Sequence, residues 1–295
     1  MISFKLPSIY NYHSSLSFVY ICHDPTPELW DPSKNLFLFP AEDKLVAVLF
    51  EGRKAHIMAD MDQGKARWYV SSKLNLDPSG IKAASDGLSI AKELGLLQRY
   101  PHIRGFLPPK LGLPPKWLYT SLVKTVILQM VSYKVANIMM NRFVQAFGTP
   151  IIFENAKIFT FPKPEVICET PAEIIKEKAG ISGSKARAIK EVARLEVEGR
   201  LKELEDSVSE APHDVAKELM KIRGVGLWTA YVSLMAGMGA WHAQPVDRLM
   251  RLLEKSGVKC DASLFSKKPH VAGYISVAML FGEEALRERY FKLQG

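Results

Sequence analysis

With 295 residues, 47% of them apolar, the chain can fill one large core or two ordinary ones, and no run of about eighteen apolar residues offers a membrane span. Its three cysteines, Cys22, Cys168 and Cys260, form no CxxC pair, which excludes an all-cysteine zinc site and an iron–sulfur cluster and suits a reducing compartment. The formal charge of +8 admits a polyanionic partner without demanding one.

Lys5, Pro7, His13 and Asp24 interrupt the first apolar positions, a poor secretory signal, so a cytoplasmic (nucleoid) or nuclear location is expected. Val, Ile, Phe and Tyr concentrate in Leu16–Cys22, Asn35–Phe39, Lys44–Phe50, Ala55–Met61 and Ala66–Ser71, which are predicted as strands separated by turn formers such as Glu51-Gly52 and Gln63-Gly64. Helix is predicted over 79–98. The Pro-rich, basic segment Pro101–Pro115 reads as a linker or surface loop and sets a soft domain boundary.

Charge is distributed unevenly. Residues 1–100 hold 11 basic and 11 acidic side chains, so the rest of the chain carries the whole excess. No acid lies between Glu93 and Glu154, whereas Arg99, Arg104, Lys110, Lys116, Lys124, Lys134 and Arg142 do. A one-sided field of this kind attracts nucleic acid.

Apolar residues at three- and four-residue steps over 119–147 predict helix, ended by Gly148-Thr149-Pro150. Further helices are predicted at 171–178, with Thr170 as N-cap and Pro171 as first residue, and at Ser184–Glu198, Pro212–Ile222, Leu227–Met235 and Arg248–Ser256. The fold expected is α+β: a β-rich N-terminal domain (1–100) packed on an all-helical domain (101–295).

Two helices flank Arg223-Gly224-Val225-Gly226. The glycines allow a tight turn, Val225 can plug the core, and the amides of the next helix point outward with the helix dipole behind them. Such a turn can grip a phosphate backbone, although plain helix connections look the same. Pro245-Val246-Asp247-Arg248 follows, with Asp247 21 residues after Gly226. Asp247 can be a helix cap or a working carboxylate.

The hairpin of 212–236, its GVG turn and the PVD at this spacing resemble the helix-hairpin-helix (HhH-GPD) DNA glycosylase superfamily, which includes 3-methyladenine DNA glycosylase II, endonuclease III and the 8-oxoguanine glycosylases. Ile127-Leu128-Gln129-Met130-Val131-Ser132 with Ala136 and Phe147-Gly148, Phe161-Pro162-Lys163-Pro164-Glu165, Lys185-Ala186-Arg187-Ala188 and Ala272-Gly273-Tyr274 extend the likeness over roughly 100–285. The β-rich part fits the extra domain of the alkylbase and 8-oxoguanine branches by layout.

The resemblance implies hydrolysis of the N-glycosidic bond of an everted, damaged base, an alkylated or deaminated purine, in duplex DNA by a monomer. Asp247 would stabilise the cationic sugar. Trp228, Tyr274 and Ser276 would border the base. Arg223, Gly224, Val225, Gly226, Arg248, Gln129 and Ser132 would meet DNA, the last two with Met130 near the gap. Members that also cut the backbone carry lysine where this chain has Trp228, so base removal without a lyase step is expected. The second pocket aromatic of the alkylbase branch is replaced by Val232, with Tyr231 one position earlier. Ser276 stands where the 8-oxoguanine branch has an amide. A monovalent cation at the hairpin carbonyls is implied. His213 and His242 lack metal-motif companions, so no catalytic metal is expected. Trp241 can line the pocket or cover the core. Two rival readings are a bifunctional 8-oxoguanine glycosylase/lyase and a non-catalytic hairpin module that only binds DNA.

Overall fold

The computed structural model describes residues 2–19, 27–154 and 156–287. It begins with strand β1 (Ile2–Lys5) and helix α1 (Tyr12–Val19), then β2 (Leu29–Asp31), β3 (Leu36–Ala41), β4 (Lys44–Glu51) and β5 (Lys54–Ala59). These five strands form one antiparallel sheet in the order β1-β5-β4-β3-β2. Two-residue turns, Glu42-Asp43 and Gly52-Arg53, fix the register, with Phe39 opposite Val46 and Val48 opposite Ile57. The three central strands predicted from composition are present. The prediction at Leu16–Cys22 fails where it can be read: Leu16 lies in α1, started by Asn11 accepting from the Ser14 amide, while Cys22 lies outside the described residues.

Ala66–Ser71 is also helical, inside α2 (Gln63–Lys73). Asp62 caps it, and its buried positions Ala66, Tyr69, Val70 and Lys73 repeat at helical spacing. That period outweighs the β preference of Trp68, Tyr69 and Val70. Helix α3 (Pro78–Glu93) follows, capped by Asp77.

The segment expected to be a linker is instead a strap through the core. Phe106, Leu107, Leu111 and Leu113 are buried. Prolines bring no N–H to satisfy, and neighbouring amides are paired: Lys110 N–H to Lys73 O (2.8 Å), Leu111 to Ala236 O (2.7 Å) and Gly112 to Gly237 O (3.0 Å).

The predicted helical run 119–147 breaks into α4 (Trp117–Leu128) and α5 (Tyr133–Phe147). Met130 takes a left-handed φ of 55°, and Ser132 caps α5 by accepting from the Val135 amide. A hairpin absent from the sequence reading, β6 (Pro150–Phe153) and β7 (Ala156–Phe159), comes next. Its Phe153 and Ile158 cover Leu36, Leu38 and Ala47 on the outer face of the sheet, so β3 is apolar on both faces.

The helical body continues with α6 (Pro164–Glu169), α7 (Ala172–Ala179), α8 (Gly183–Val197), α9 (Arg200–Ser207), α10 (Pro212–Met220), α11 (Leu227–Met238), α12 (Val246–Lys255), α13 (Ser263–Ser266) and α14 (Pro269–Arg287). Thr170 does not cap α7: it closes α6, donating to Val166 O at 2.7 Å, and Pro171 stands at the cap position. Helix α4 is buried between α8 and α11, and α14 packs on α3. One hydrophobic core is continuous from the sheet to α14. No helix among the described residues is long and apolar enough to cross a membrane.

Candidate active site

Helix α10 buries Val215, Ala216 and Leu219 and runs into the turn 223–226, where Val225 is itself buried. Gly224 has φ +98°, and a Cβ there would stand 2.9 Å from that of Ala188. Gly226, the N-cap of α11, has φ −93°, and a Cβ on it would meet nothing within 4 Å. No side chain caps the first amides of α11, which an α-helix leaves without internal acceptors. Arg223 and Leu227 are exposed beside them.

Gln129 is engaged with the hairpin. It closes α4, and its Nε2 donates to Gly224 O (2.8 Å) and Thr229 Oγ1 (2.6 Å), bracing the hairpin from behind. Lys185 Nζ donates to Ile127 O (2.8 Å) at the same helix end, and burial lowers its pKa. Ser132 is exposed and caps α5 by accepting from the Val135 amide, which leaves its O–H free to donate. Met130, between them, is fully exposed.

Asp247 lies in the first turn of α12, whose cap position is Pro245, and makes no capping hydrogen bond. Its side chain is 72% exposed and accepts from Arg251 Nη2 at 2.9 Å. An exposed pair of this kind is worth under about 1 kcal/mol, so it does not hold the carboxylate back from a ligand. Nearby, burial raises the pKa of the Tyr231 phenol, and the Asp247 charge adds to the rise.

Trp228 separates two cavities. One, of about 380 Å³, is an open cleft formed by Leu227 and Trp228 with Arg248, Arg251, Leu252 and Lys255 of α12. The other, of about 190 Å³, is apolar, with Leu128, Tyr133, Val232, Val277, Leu280 and Phe281 among its walls. Arg248 is thus on the cleft, close to Asp247.

Tyr274 and Ser276 line neither cavity. Tyr274 is buried, donates to Phe106 O at 2.6 Å and meets Trp241 edge-on; Ser276 is buried and accepts from Gln244 Nε2 at 2.8 Å. The face of α14 that carries them turns inward because Gly273 lies against the Trp241 backbone, leaving no room for a Cβ. Trp241 therefore covers the core. The cavity takes Val277, Leu280 and Phe281 from α14 instead, a helical spacing that the sequence displays but the reading missed. Lys221, paired with Glu218 at 2.6 Å, lies on α10's end and lines neither cavity.

Three of the seven basic residues in the acid-free stretch are used internally: Lys110 with Asp77 (3.4 Å), Lys116 with Glu196 (2.6 Å) and Lys124 with Glu28. Lys110 and Lys124 are buried and add little to an outward field, whereas the paired Lys116 side chain remains 41% exposed.

Residues 123–269, about half of the chain, match the family of HhH-GPD superfamily base excision DNA repair proteins. A DNA-3-methyladenine glycosylase of Bacillus subtilis (strain 168) is 33% identical over 138 residues, 46% of this chain; the alignment spans only 44% of that relative's own length. Among solved structures, 3-methyladenine DNA glycosylase from Archaeoglobus fulgidus superposes with a TM-score of 0.74 at 21% identity over 99% of both chains. The Clostridium acetobutylicum 8-oxoguanine glycosylase/lyase in complex with DNA superposes with a TM-score of 0.68 at 15% identity over 93% of this chain and 92% of its own. Both likenesses are of fold, and both take in the N-terminal sheet as well as the helical body.

Proposed function

The chain belongs to the HhH-GPD superfamily of base excision DNA repair proteins, and from that premise we propose that it is a monofunctional DNA glycosylase that removes an alkylated or deaminated purine. The observation that carries this reading is the position of Asp247: an accessible carboxylate that is not itself a wall of the cleft but precedes Arg248 and pairs with Arg251, both walls of the cleft that ends on Trp228, with the glycine hairpin at the start of the same helix as that tryptophan.

At the turn the strand would be gripped by backbone amides. Gly226 is glycine although neither its φ nor any neighbour requires it, and a phosphate approaching the α11 amides does. Arg223, Arg248 and Arg251 flank that approach. The carbonyls of Ile222 and Gly224 each accept one internal hydrogen bond and keep a second lone pair, so the turn suits a monovalent cation, which would supply charge beside the phosphate. Met130, exposed on a left-handed turn, is the side chain shaped to fill the gap left by the everted nucleotide.

The everted base would stack on Trp228, whose aromatic face suits an electron-poor purine. As the C1′–N bond breaks, its electron pair leaves with the base and the sugar becomes cationic. The Asp247 carboxylate would stabilise that charge once the bound DNA excludes water from it. Water then adds at C1′ and its proton passes to the carboxylate or to solvent. No lysine occupies the Trp228 position, so no imine with the sugar is expected.

Duplexes carrying single lesions, incubated with the protein and treated with hot alkali, test the reading. Strand cleavage at a damaged purine, abolished in Asp247→Asn with melting temperature and DNA affinity unchanged, supports it. Borohydride should trap no protein–DNA adduct, and a trapped adduct would overturn the monofunctional assignment.

A further inference from the structure

Glu28 is buried between two buried lysines, Lys73 and Lys124, each of which reaches one of its carboxylate oxygens. Two lysines to one carboxylate is an expensive arrangement away from water: burial pulls the Lys73 pKa down to about 7, and a pair of apolar side chains would hold the fold at less desolvation cost. Lys73 also donates to the carbonyls of Lys110 and Gly112 (3.1 Å to the latter), so two of its N–H groups hold the strap and the third meets Glu28. Lys124 gives one N–H to Glu28 and one to Leu111 O at 2.6 Å. Among the described residues no third acceptor engages it.

Lys124 and Glu28, with Asn137 and Tyr133, line a small chamber of about 40 Å³. Three of its walls, Leu111, Leu128 and Tyr133, are also walls of the apolar cavity beside Trp228. The chamber has room for a polar substituent and a water, since a water needs about 10–15 Å³ by the same measure, but no room for a ring.

We propose that this chamber is the reading end of the base pocket and that Lys124 selects a neutral purine bearing an oxo group on its leading edge, of which hypoxanthine is the probe. The proposal deepens the glycosylase reading and rests on it. An ammonium only donates. Adenine and its alkylated forms present an amino donor at C6, whereas deamination puts an oxo acceptor there. The oxo group takes the remaining Lys124 N–H. The amino group leaves it unpaired and turns a donor toward a donor, and a cationic alkylated ring adds like-charge repulsion. Buried sites built to hydrogen-bond a substrate discriminate strongly against the analogue that lacks the partner. Burial lowers the pKa of Lys124, and the Glu28 carboxylate opposes part of that fall.

Single-turnover excision by the full chain tests this with hypoxanthine duplex and with methylated DNA that releases 3-methyladenine. Lys124→Met should lose at least about tenfold on hypoxanthine and less than about twofold on 3-methyladenine, with Lys124→Gln, which keeps an N–H donor, recovering part of the hypoxanthine rate. Equal losses on both substrates, or no loss on hypoxanthine, would overturn the proposal. A readout that needs no variant is competition by free bases against the wild-type protein: hypoxanthine should inhibit more strongly than adenine, and equal inhibition overturns the assignment. A wild-type protein that frees other bases but not hypoxanthine removes this subsite and leaves the glycosylase reading standing. One that frees no base from any duplex removes both.

Discussion

At Gly224 an added methyl group would press on Ala188 from a backbone already in the left-handed half of conformational space; at Gly226 it would enter open space on an ordinary backbone. The two glycines therefore separate stability from binding. Gly224→Ala is expected to cost at least about 1–2 kcal/mol, measured by chemical denaturation. Gly226→Ala, at the N-cap of α11, is expected to cost no more than about 1 kcal/mol of stability and to weaken DNA binding through its new Cβ; unchanged affinity would count against backbone approach at that turn. Sequence made this pair visible through spacing, and it placed Asp247 at the start of its helix because Pro245 precedes it. It could not orient α14. Whether Tyr274 and Ser276 or Val277 and Phe281 face a cavity depends on Gly273 meeting the Trp241 backbone, a contact between segments far apart in the chain.

Among the elements, the central strands were legible because β3, β4 and β5 are rich in β-branched and aromatic residues and joined by tight turns. Helix α2 was not, since its composition and its period disagree. The Pro101–Pro115 strap misled for a related reason: prolines mark loops, and they also let an irregular segment be buried with few amides to satisfy. The break between α4 and α5 was hidden inside a continuous apolar period. That break matters to the hairpin through Gln129. Gln129→Ala removes two hydrogen bonds, each worth about 1 kcal/mol, and should lower both the melting temperature and DNA affinity, whereas Gln129→Glu should fail to restore either because it cannot donate. The strap has its own pH signature. His102 follows Pro101, its Nε2 bonds the Ala278 carbonyl of α14 at 3.0 Å, and burial pushes its pKa down to about 4. The folded state thus binds fewer protons than the unfolded one between that value and the ordinary imidazole value of about 6.5. Stability is full above about pH 6.5 and falls as pH drops toward 4, at up to about 1.4 kcal/mol per unit. Melting temperature measured against pH should show this slope in the wild type and a shallower one in His102→Asn.

For the molecule as a whole, net charge is a poor guide to the surface that meets DNA. Three of the seven basic residues in the acid-free stretch are tied up in ion pairs, and the positive residues at the turn and on the cleft are Arg223, Arg248, Arg251 and Lys255. If three arginines contact phosphates, the logarithm of the binding constant should fall with that of salt concentration at a slope of about −3, and Arg251→Ala should reduce the slope by about one. A flat response would exclude this footprint. The β6–β7 hairpin sets a different limit. It reaches from the helical half to shield the far side of the N-terminal sheet, so the two halves are not separable goods. A fragment ended before residue 150 would bare a flat plane of leucine and alanine, and its fate in solution would be self-association through that plane rather than a smaller working protein.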